Sequence, residues 1–455
     1  MVFWRKLIDD LDAWSRSPYR KSLILRGARQ VGKTTAVRMF AERFDLFIEL
    51  NLEKEDDRAL FFSGTDVQMI FNKIKIVRNV DTSRGKILLF IDEIQYSANA
   101  LLSLRYFHEL MPEIYVIGAG SLLEAYLAQG GLQISVGRIE YLWVYPLDFE
   151  EFLIATKMDQ LLISISQIPF PEYLYSVLRE KFSEFCMIGG MPEAVKIWQE
   201  TRDIVYVRKA QGSIIDTYAE DVSKYTHNVS QKELILQIMQ AAYYQIGKRI
   251  TFTGFAGSDQ RATAIKQAFR LLSQVNLFEL LHPTSALSAP ALPNLRKQPK
   301  LLAYDLGMVN YVLGIQDRYY GEADLHSIFR GAAMEQIVGQ QLLGMQKRYH
   351  FNLCYWVREK RNSSAEIDFL LNWQGRLIPV EIKASKVGSM KSLFIFMEET
   401  AADIAVRIYD GITRWEFLST ASGKRFWLLN LHLGLTGRIF DYLQHRLGNP
   451  DSGAE

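Results

Sequence analysis

One stretch of sequence decides the fold, Gly27-Ala28-Arg29-Gln30-Val31-Gly32-Lys33-Thr34. It fits the pattern G-x-x-x-x-G-K-[ST] at every fixed position, and it lies between an apolar run and a helical pattern. The two glycines let the backbone turn so that its N–H groups point at phosphate oxygens. The N-terminus of the following helix adds its dipole to the same anion site. The stretch therefore predicts a phosphate-binding loop.

Each position of this loop has an expected role. We predict that ATP is bound by residues 27–35: Gly27, Ala28, Arg29, Gln30, Val31, Gly32, Lys33, Thr34 and Thr35. Lys33 brings a positive charge to the β- and γ-phosphates, and the Thr34 hydroxyl ligates Mg²⁺. ATP and magnesium are thus the predicted cofactors.

The sequence around the loop predicts a parallel sheet. Apolar runs at 22–25, 46–50, 87–91 and 114–118 read as buried strands, and helical patterns such as 34–44 and 100–110 separate them. Strands that are apolar throughout and alternate with helices indicate a parallel sheet covered on both faces.

Two carboxylates follow the third of these strands. Asp92 would complete the magnesium shell, and Glu93 would polarise the attacking water as general base. On its own, an Asp-Glu pair after a strand is more often part of a solvated loop. Beside a complete phosphate loop, the catalytic interpretation is favoured.

Two further residues are candidates for the ATP site. Ser121, after the fourth strand, would either sense the γ-phosphate or cap a helix that begins at Leu122. Arg138 follows a glycine and would either act as an arginine finger toward a neighbouring subunit or be an ordinary surface arginine.

These elements resemble the AAA+ ATPases, and most closely the bacterial and archaeal branch in which a C-terminal DUF4143 domain follows the AAA module. The resemblance rests on seven segments in the order of that family: 25–35, 90–95, 137–138, 146–152, 189–193, 304–307 and 366–370. Residues 120–123 depart from the family, which has more hydroxyl groups there, and this weakens the sensor role of Ser121. AAA+ relatives often form rings, so the resemblance also implies a possible homo-oligomer.

The middle of the chain has the element order of a winged helix-turn-helix. Two helical patterns, a short strand near 277–281, a proline-rich stretch and a second strand near 300–304 follow one another. The helix at 261–272 would read DNA through Arg261, Lys266 and Arg270. The alternative is a packing module that connects its neighbours.

Near the C-terminus, charged residues alternate with apolar ones along two strands. This period places Asp368 on one face of its strand and Glu381 with Lys383 on one face of the next, with Glu335 on a preceding helix. The set resembles the PD-(D/E)xK nuclease site, in which carboxylates bind magnesium and the lysine orients water. The alternative is a salt-bridged edge hairpin.

Composition sets the remaining expectations. The 455 residues carry 53 basic and 51 acidic side chains, so no global field attracts nucleic acid, and the two cysteines indicate no disulfide framework or zinc site. The absence of a long apolar run predicts a cytoplasmic protein that does not enter the membrane. About three domains are expected from the length.

We predict an α/β protein in four parts: a P-loop AAA+ domain with a parallel sheet and flanking helices (1–150), a helical subdomain (151–228), a winged helix-turn-helix domain (229–300) and a restriction-endonuclease-like DUF4143 domain (301–448). The leading function is an ATPase whose nucleotide state controls a DNA-facing C-terminal half. The alternatives are a slow protein-interaction switch and an ATP-gated DNA nuclease. A catalytic base at Glu93 distinguishes the ATPase from the switch, which does not need one. The Glu381 and Lys383 pair distinguishes the nuclease, which would require it for cleavage.

Overall fold

A computed structural model describes residues 3–62, 66–83, 85–121, 123, 126, 137–226, 228–321, 332–360, 365–383 and 390–448. It divides the chain into two compact units, Met1–Tyr145 with Gln274–Asn276 and Pro146–Ser273 with Leu277–Glu455. In the described part of the chain, no helix combines the length and apolar character needed to cross a bilayer.

The first unit is built on a parallel five-stranded sheet. Its strands are β1 (Ser22–Gly27), β2 (Leu46–Asn51), β3 (Ile87–Asp92), β4 (Ile114–Ala119) and β5 (Ile139–Val144). Its helices are α1 (Lys6–Arg16), α2 (Lys33–Ala41), α3 (Glu55–Arg58), α4 (Val67–Arg78) and α5 (Ala98–Leu110). All strand pairs are parallel, in the order β2-β3-β4-β1-β5. Every residue of β3 is buried, as expected of a strand covered on both faces.

The predicted strands and the parallel sheet are confirmed, and the structure adds two elements that we did not predict. The amphipathic helix α1 buries Leu7, Leu11 and Trp14, and the Trp14 ring lies edge-on to Tyr115 at 6.0 Å. Strand β5 extends the sheet along its full length beside β1, with Gly27 opposite Val144. This pairing places the end of β5 directly beside the phosphate loop.

The second unit begins with a run of helices in the segment where we predict a helical subdomain (151–228), and the bounds of that subdomain stay a prediction. These helices are α6 (Phe149–Ala155), α7 (Asp159–Ile165), α8 (Tyr175–Ile188), α9 (Pro192–Thr201), α10 (Ile204–Lys224) and α11 (Val229–Tyr243). The first of them starts with a capping box, in which Asp148 and Glu151 exchange hydrogen bonds with each other's backbone N–H groups. Aromatic side chains pack α6 against α8, with the Phe149 and Phe182 rings 5.1 Å apart.

The predicted helix–helix–strand–strand order of the middle segment is observed, while its assignment as a winged helix stays a prediction. After α11 come α12 (Ala262–Gln274), β6 (Phe278–Leu281), β7 (Pro283–Thr284) and β8 (Lys300–Ala303). Strands β6 and β8 form an antiparallel pair. The short β7 instead pairs with a strand of the larger C-terminal sheet. Residues 278–303 therefore contribute strands to both sheets, and the predicted domain boundary at residue 300 falls within this segment.

The C-terminal part of the second unit is a mixed seven-stranded sheet. Its further strands are β9 (Asn352–Val357), β10 (Glu366–Trp373), β11 (Arg376–Lys383), β12 (Ile404–Tyr409), β13 (Arg414–Ser419) and β14 (Arg425–His432). The order is β13-β14-β12-β11-β10-β9-β7. The accompanying helices are α13 (Leu306–Leu313), α14 (Arg318–Gly321), α15 (Ala332–Tyr349), α16 (Lys391–Glu399) and α17 (Ile439–Gly448). The core lies between α16 and this sheet, where the Trp356 and Phe396 rings meet at 5.1 Å.

Two sequence motifs of the second unit, residues 189–193 and 304–307, meet at the buried carboxylate of Asp305. Asp305 accepts hydrogen bonds from the backbone N–H of Gly190 at 2.5 Å and of Met308 at 3.0 Å. A Cβ atom at Gly189 would lie 2.4 Å from the Asp305 carboxylate, so only glycine fits there. Burial raises the pKa of Asp305 to about 6. These motifs, which carry part of the family resemblance, are therefore held against each other by hydrogen bonds to Asp305.

Candidate nucleotide-binding site

The phosphate loop connects β1 to α2 at the carboxyl edge of the parallel sheet. Gly27 has φ +139°, and a Cβ atom there would lie 2.0 Å from the carbonyl oxygen of Val144. Gly32 has φ +89° and stands directly before the first helical residue, Lys33. Both glycines are therefore required by backbone geometry. The loop has the strand–loop–helix context that the sequence predicts.

The Lys33 side chain is folded back onto the loop. Its Nζ donates to the carbonyl oxygens of Gly27 at 3.0 Å and Ala28 at 2.6 Å. Burial lowers the pKa of Lys33 to about 8, and the nearby carboxylates of Glu93 and Asp92 act in the opposite direction. The ammonium group is thus desolvated and held at the phosphate loop.

Thr34 and Asp92 are in direct contact. The Thr34 hydroxyl donates to Oδ2 of Asp92 at 2.7 Å. Burial raises the pKa of Asp92, and the bond from Thr34 opposes this effect. Mg²⁺ prefers oxygen ligands and is commonly held by one carboxylate together with substrate phosphates. The two oxygen atoms therefore suit the magnesium ion that the sequence predicts beside the loop.

Glu93 has an unusual backbone conformation. Its φ of +50° lies in the left-handed region, which costs energy for a residue with a side chain and is frequent at functional sites. Its carboxylate oxygen Oε2 accepts a hydrogen bond from Gln95 Nε2 at 2.5 Å and one from the Ser121 hydroxyl at 3.4 Å. Glu93 is therefore oriented by two polar side chains from the same edge of the sheet.

Most of the predicted catalytic and metal-binding residues of the first unit come together. Lys33, Thr34, Asp92, Glu93 and Ser121 lie at one edge of the sheet, because the parallel strands β1, β3 and β4 all end there. The helix that Ser121 is alternatively expected to cap would start at Leu122, which lies outside the described residues. Gln95 was not predicted as a site residue, although it follows Glu93 by only two positions.

Arg138 makes an ion pair within its own chain. Its Nε lies 3.1 Å from Oε1 of Glu109, which also pairs with Arg105. The Arg138 side chain is 52% exposed. A finger role toward a neighbouring subunit would require Arg138 to leave Glu109, and it stays a prediction.

Arg5 is a second residue that sequence reasoning missed. Its guanidinium donates to the carbonyl oxygens of Val31 at 2.5 Å and Tyr145 at 2.8 Å, and its side chain is buried. It thereby ties the phosphate loop to the residue that follows β5. Nothing in the sequence around position 5 indicates this role, because the contact spans 26 residues on one side and 140 on the other.

The predicted nuclease residues also come together, but around a lysine. Lys300 Nζ lies 2.7 Å from Glu335 Oε2 and 3.7 Å from Asp368 Oδ1. Lys383 pairs separately with Glu381 at 2.6 Å. Burial, together with the nearby Asp368 charge, raises the pKa of both Glu335 and Glu381 to about 7. Lys300 was not predicted as a member of this group.

A divalent metal does not fit this second cluster as it stands. The ammonium group of Lys300 already lies among the carboxylates that would be its ligands. Within the ranges that the structure describes, no three His, Cys, Asp or Glu side chains are arranged to hold a metal ion.

Comparisons with known proteins agree with the sequence motifs. Residues 19–153 match a family model described as an AAA domain (AAA_14), and 330–421 match a domain of unknown function (DUF4143). Between them, residues 179–319 match another domain of unknown function (DUF8612). No curated protein matches the chain.

Two solved structures from Aeropyrum pernix are similar in part. The ORC1 protein in complex with DNA has 14% identity and a TM-score of 0.31, covering 70% of this chain and 92% of that one. The ORC2 protein, in ADPNP–ADP complexes, has 12% identity and a TM-score of 0.36, covering 70% and 96%. Scores this low do not establish a common fold over the whole chain. The AAA_14 and DUF4143 matches lie in the order and at the positions of the sequence motifs, and they agree with the predicted resemblance to ATPases of the AAA_14/DUF4143 type.

Proposed function

We propose that the chain hydrolyses ATP at the edge of the parallel sheet and that its nucleotide state controls a DNA contact made by the second unit. The observation that carries the ATPase part is the contact of Thr34 with Asp92 beside an oriented Glu93. Thr34 and Asp92 would hold Mg²⁺, which would supply positive charge to offset the negative charge on the phosphates. ATP and magnesium are therefore the proposed cofactors.

The residues of the site have separate tasks in this proposal. Lys33 leaves the carbonyl oxygens of its own loop and pairs with the phosphates. Thr34 and Asp92 hold the metal, and Glu93 accepts the proton of the attacking water. Gln95 and Ser121 keep the Glu93 carboxylate in position. Arg138 from another copy would stabilise transition-state charge in a homo-oligomer.

The DNA contact is proposed on the exposed face of α12. One face of this helix is buried through Ile265 and Phe269, and the other exposes Lys266 and Arg270. Arg261, directly before the helix, is exposed as well, and residues 261–276 contain no acidic side chain. A basic helix face without carboxylates matches the negative potential of the phosphate backbone. We further propose a cytoplasmic location.

ATP turnover by the full chain, measured with and without DNA, tests this function. We expect Mg²⁺-dependent phosphate release that duplex or single-stranded DNA accelerates. Replacing Lys266 and Arg270 by alanine is expected to leave basal turnover intact and to weaken DNA binding. The slope of log affinity against log salt should become shallower by about one for each DNA phosphate that the variant no longer neutralises.

The control removes one exposed arginine elsewhere in the second unit. Arg425→Ala on β14 should change neither DNA affinity nor its salt dependence. Turnover that is indifferent to DNA would contradict the DNA contact and favour the protein-interaction switch. Absence of turnover with ATP still bound would contradict Glu93 as a base that works without a partner.

ATP affinity is expected to fall above about pH 8. Lys33 has its pKa lowered to about 8 by burial, so it is mostly neutral at higher pH in the free protein. Because phosphate binding favours the ammonium form, binding then requires proton uptake, and affinity should decrease by up to about tenfold per pH unit. Titration of a fluorescent ATP analogue between about pH 6.5 and 9.5 measures this.

Lys33→Arg is the matched control, because a guanidinium stays charged over this range. Its affinity should be lower at neutral pH but flat with pH. An equally flat profile for the unaltered chain would show that Lys33 does not titrate in this window.

A further inference from the structure

A lysine side chain occupies the middle of the carboxylate cluster beside the seven-stranded sheet. Lys300 Nζ lies 2.7 Å from Oε2 of Glu335, 2.7 Å from Oε1 of Glu366 and 3.7 Å from Oδ1 of Asp368. Lys300 comes from β8, Glu335 from α15, and the other two carboxylates from β10. Three carboxylate oxygens from two elements thus converge on one ammonium group.

The position of this ammonium group is fixed by its surroundings. Lys300 is only 3% exposed, and its Nζ lies 5.3 Å from the centre of the Tyr355 ring. Its backbone pairs with β6 and forms a bridge with Arg249. A buried ammonium group is stable only when it is paired, so Lys300 is held among these carboxylates.

The strand geometry directs Asp368 into the cluster. The register between β9 and β10 shifts between Ile367 and Leu370, which is the local irregularity of a β-bulge. A bulge changes the direction of a side chain relative to a regular strand. The second oxygen of Asp368 accepts the backbone N–H of Ile382 at 2.8 Å, so this carboxylate is held on both sides.

The charges of the cluster are nearly balanced without any metal. Besides Lys300, Arg249 pairs with Glu366, and Lys383 pairs with Glu381 at 2.6 Å. Three cationic side chains therefore face the four carboxylates of Glu335, Glu366, Asp368 and Glu381. A divalent ion would bring two further positive charges to carboxylates that already have cationic partners.

We infer that Lys300 is the resident cation of this cluster and takes the position of a divalent metal. The nuclease-like part of the chain then binds no Mg²⁺ through Glu335, Asp368 and Glu381, and it does not cleave phosphodiesters. This inference goes beyond the proposed ATPase function and does not depend on it, because none of its residues belongs to the phosphate loop.

Counting bound Mn²⁺ by electron paramagnetic resonance tests the inference. The probe is Mn²⁺ alone, titrated into the nucleotide-free full chain carrying Asp92→Asn, which removes a metal ligand of the ATP site. We expect Asp368→Asn to leave the number of bound ions unchanged. Lys300→Met is expected to bind one additional Mn²⁺ at least tenfold more tightly than the parent, and adding Asp368→Asn should abolish that binding.

Lys300→Arg is the matched control, since it keeps the positive charge and should gain no ion. Binding of Mn²⁺ that depends on Asp368 while Lys300 is intact would overturn the inference. The inference would also be overturned if the Lys300→Met variant has the same unfolding temperature as its parent and still binds no additional Mn²⁺. If Lys300→Met does not fold, the comparison of Asp368→Asn with its parent decides: fewer ions overturn the inference, and an equal number supports it.

Discussion

Replacing Glu93 by glutamine is expected to lower kcat for ATP hydrolysis by about 10²–10³-fold and to leave ATP binding nearly unchanged. A positioned general base contributes about 10²–10⁴-fold, and an amide cannot accept the proton. The side chain keeps its size, and its carbonyl oxygen can still accept hydrogen bonds from Gln95 and Ser121. Single-turnover hydrolysis and equilibrium binding of a fluorescent ATP analogue, measured on the same preparation, separate the two effects.

Glu49→Gln is the matched control for this experiment. It neutralises another carboxylate of the first unit, which pairs with Arg38 at 2.6 Å, and it should leave kcat within about twofold. An unchanged kcat in Glu93→Gln would remove Glu93 from the mechanism. A parallel loss of binding and turnover would indicate that Glu93 holds the site together and does not act as a base.

Replacing Lys33 by alanine is expected to weaken ATP binding by about 100-fold and to abolish measurable turnover. A hydrogen bond to a charged partner contributes up to about 3 kcal/mol, and 1.4 kcal/mol corresponds to about tenfold in affinity. Unlike that of Glu93, the effect falls on ground-state binding as well as on turnover, because Lys33 pairs with the phosphates throughout the reaction. Isothermal calorimetry with ATP and Mg²⁺ measures the change.

Lys86→Ala removes an exposed lysine from the same unit and should bind ATP like the unaltered chain. The Lys33 variant should also unfold at nearly the same temperature, since the hydrogen bonds described for the Lys33 side chain go to carbonyls of its own loop. Retained ATP affinity in Lys33→Ala would show that nucleotide binds elsewhere.

The sequence predicts the first unit well where local chemistry determines structure. The glycines of the loop, the apolar run of β3 and the carboxylates that follow it are each readable without tertiary information. The observed strands β1 to β4 coincide with the predicted apolar runs. The parallel order of those strands then brings Lys33, Asp92 and Ser121 to one edge.

The sequence does not reveal edge strands in which apolar and polar residues are mixed, and the reason is physical. Strand β5 lies at the edge of its sheet and has only its first and last residues buried, so it lacks a continuous apolar run. Strand β13, at the edge of the larger sheet, has no buried residue. Because edge strands carry many polar side chains, their sequence patterns are hard to distinguish from those of loops.

Lys300 shows the other limit of sequence reasoning. It begins a short apolar strand that the sequence predicts, yet its cluster partners are at least 35 residues away in the chain. Periodicity placed Asp368 and Glu381 on suitable faces, but it gave no information on which cation would meet them. Charge pairing between distant elements is a property of the packed fold.

The Arg5 contacts have a consequence for where this chain can be divided. The AAA family match starts at residue 19, beyond both Arg5 and the whole of α1. A fragment cut at that match would lose the guanidinium that holds the carbonyl oxygens of Val31 and Tyr145, together with the Trp14 ring that packs on Tyr115. The first unit therefore extends beyond the region that the family model matches, and residues 3–18 are an integral part of it.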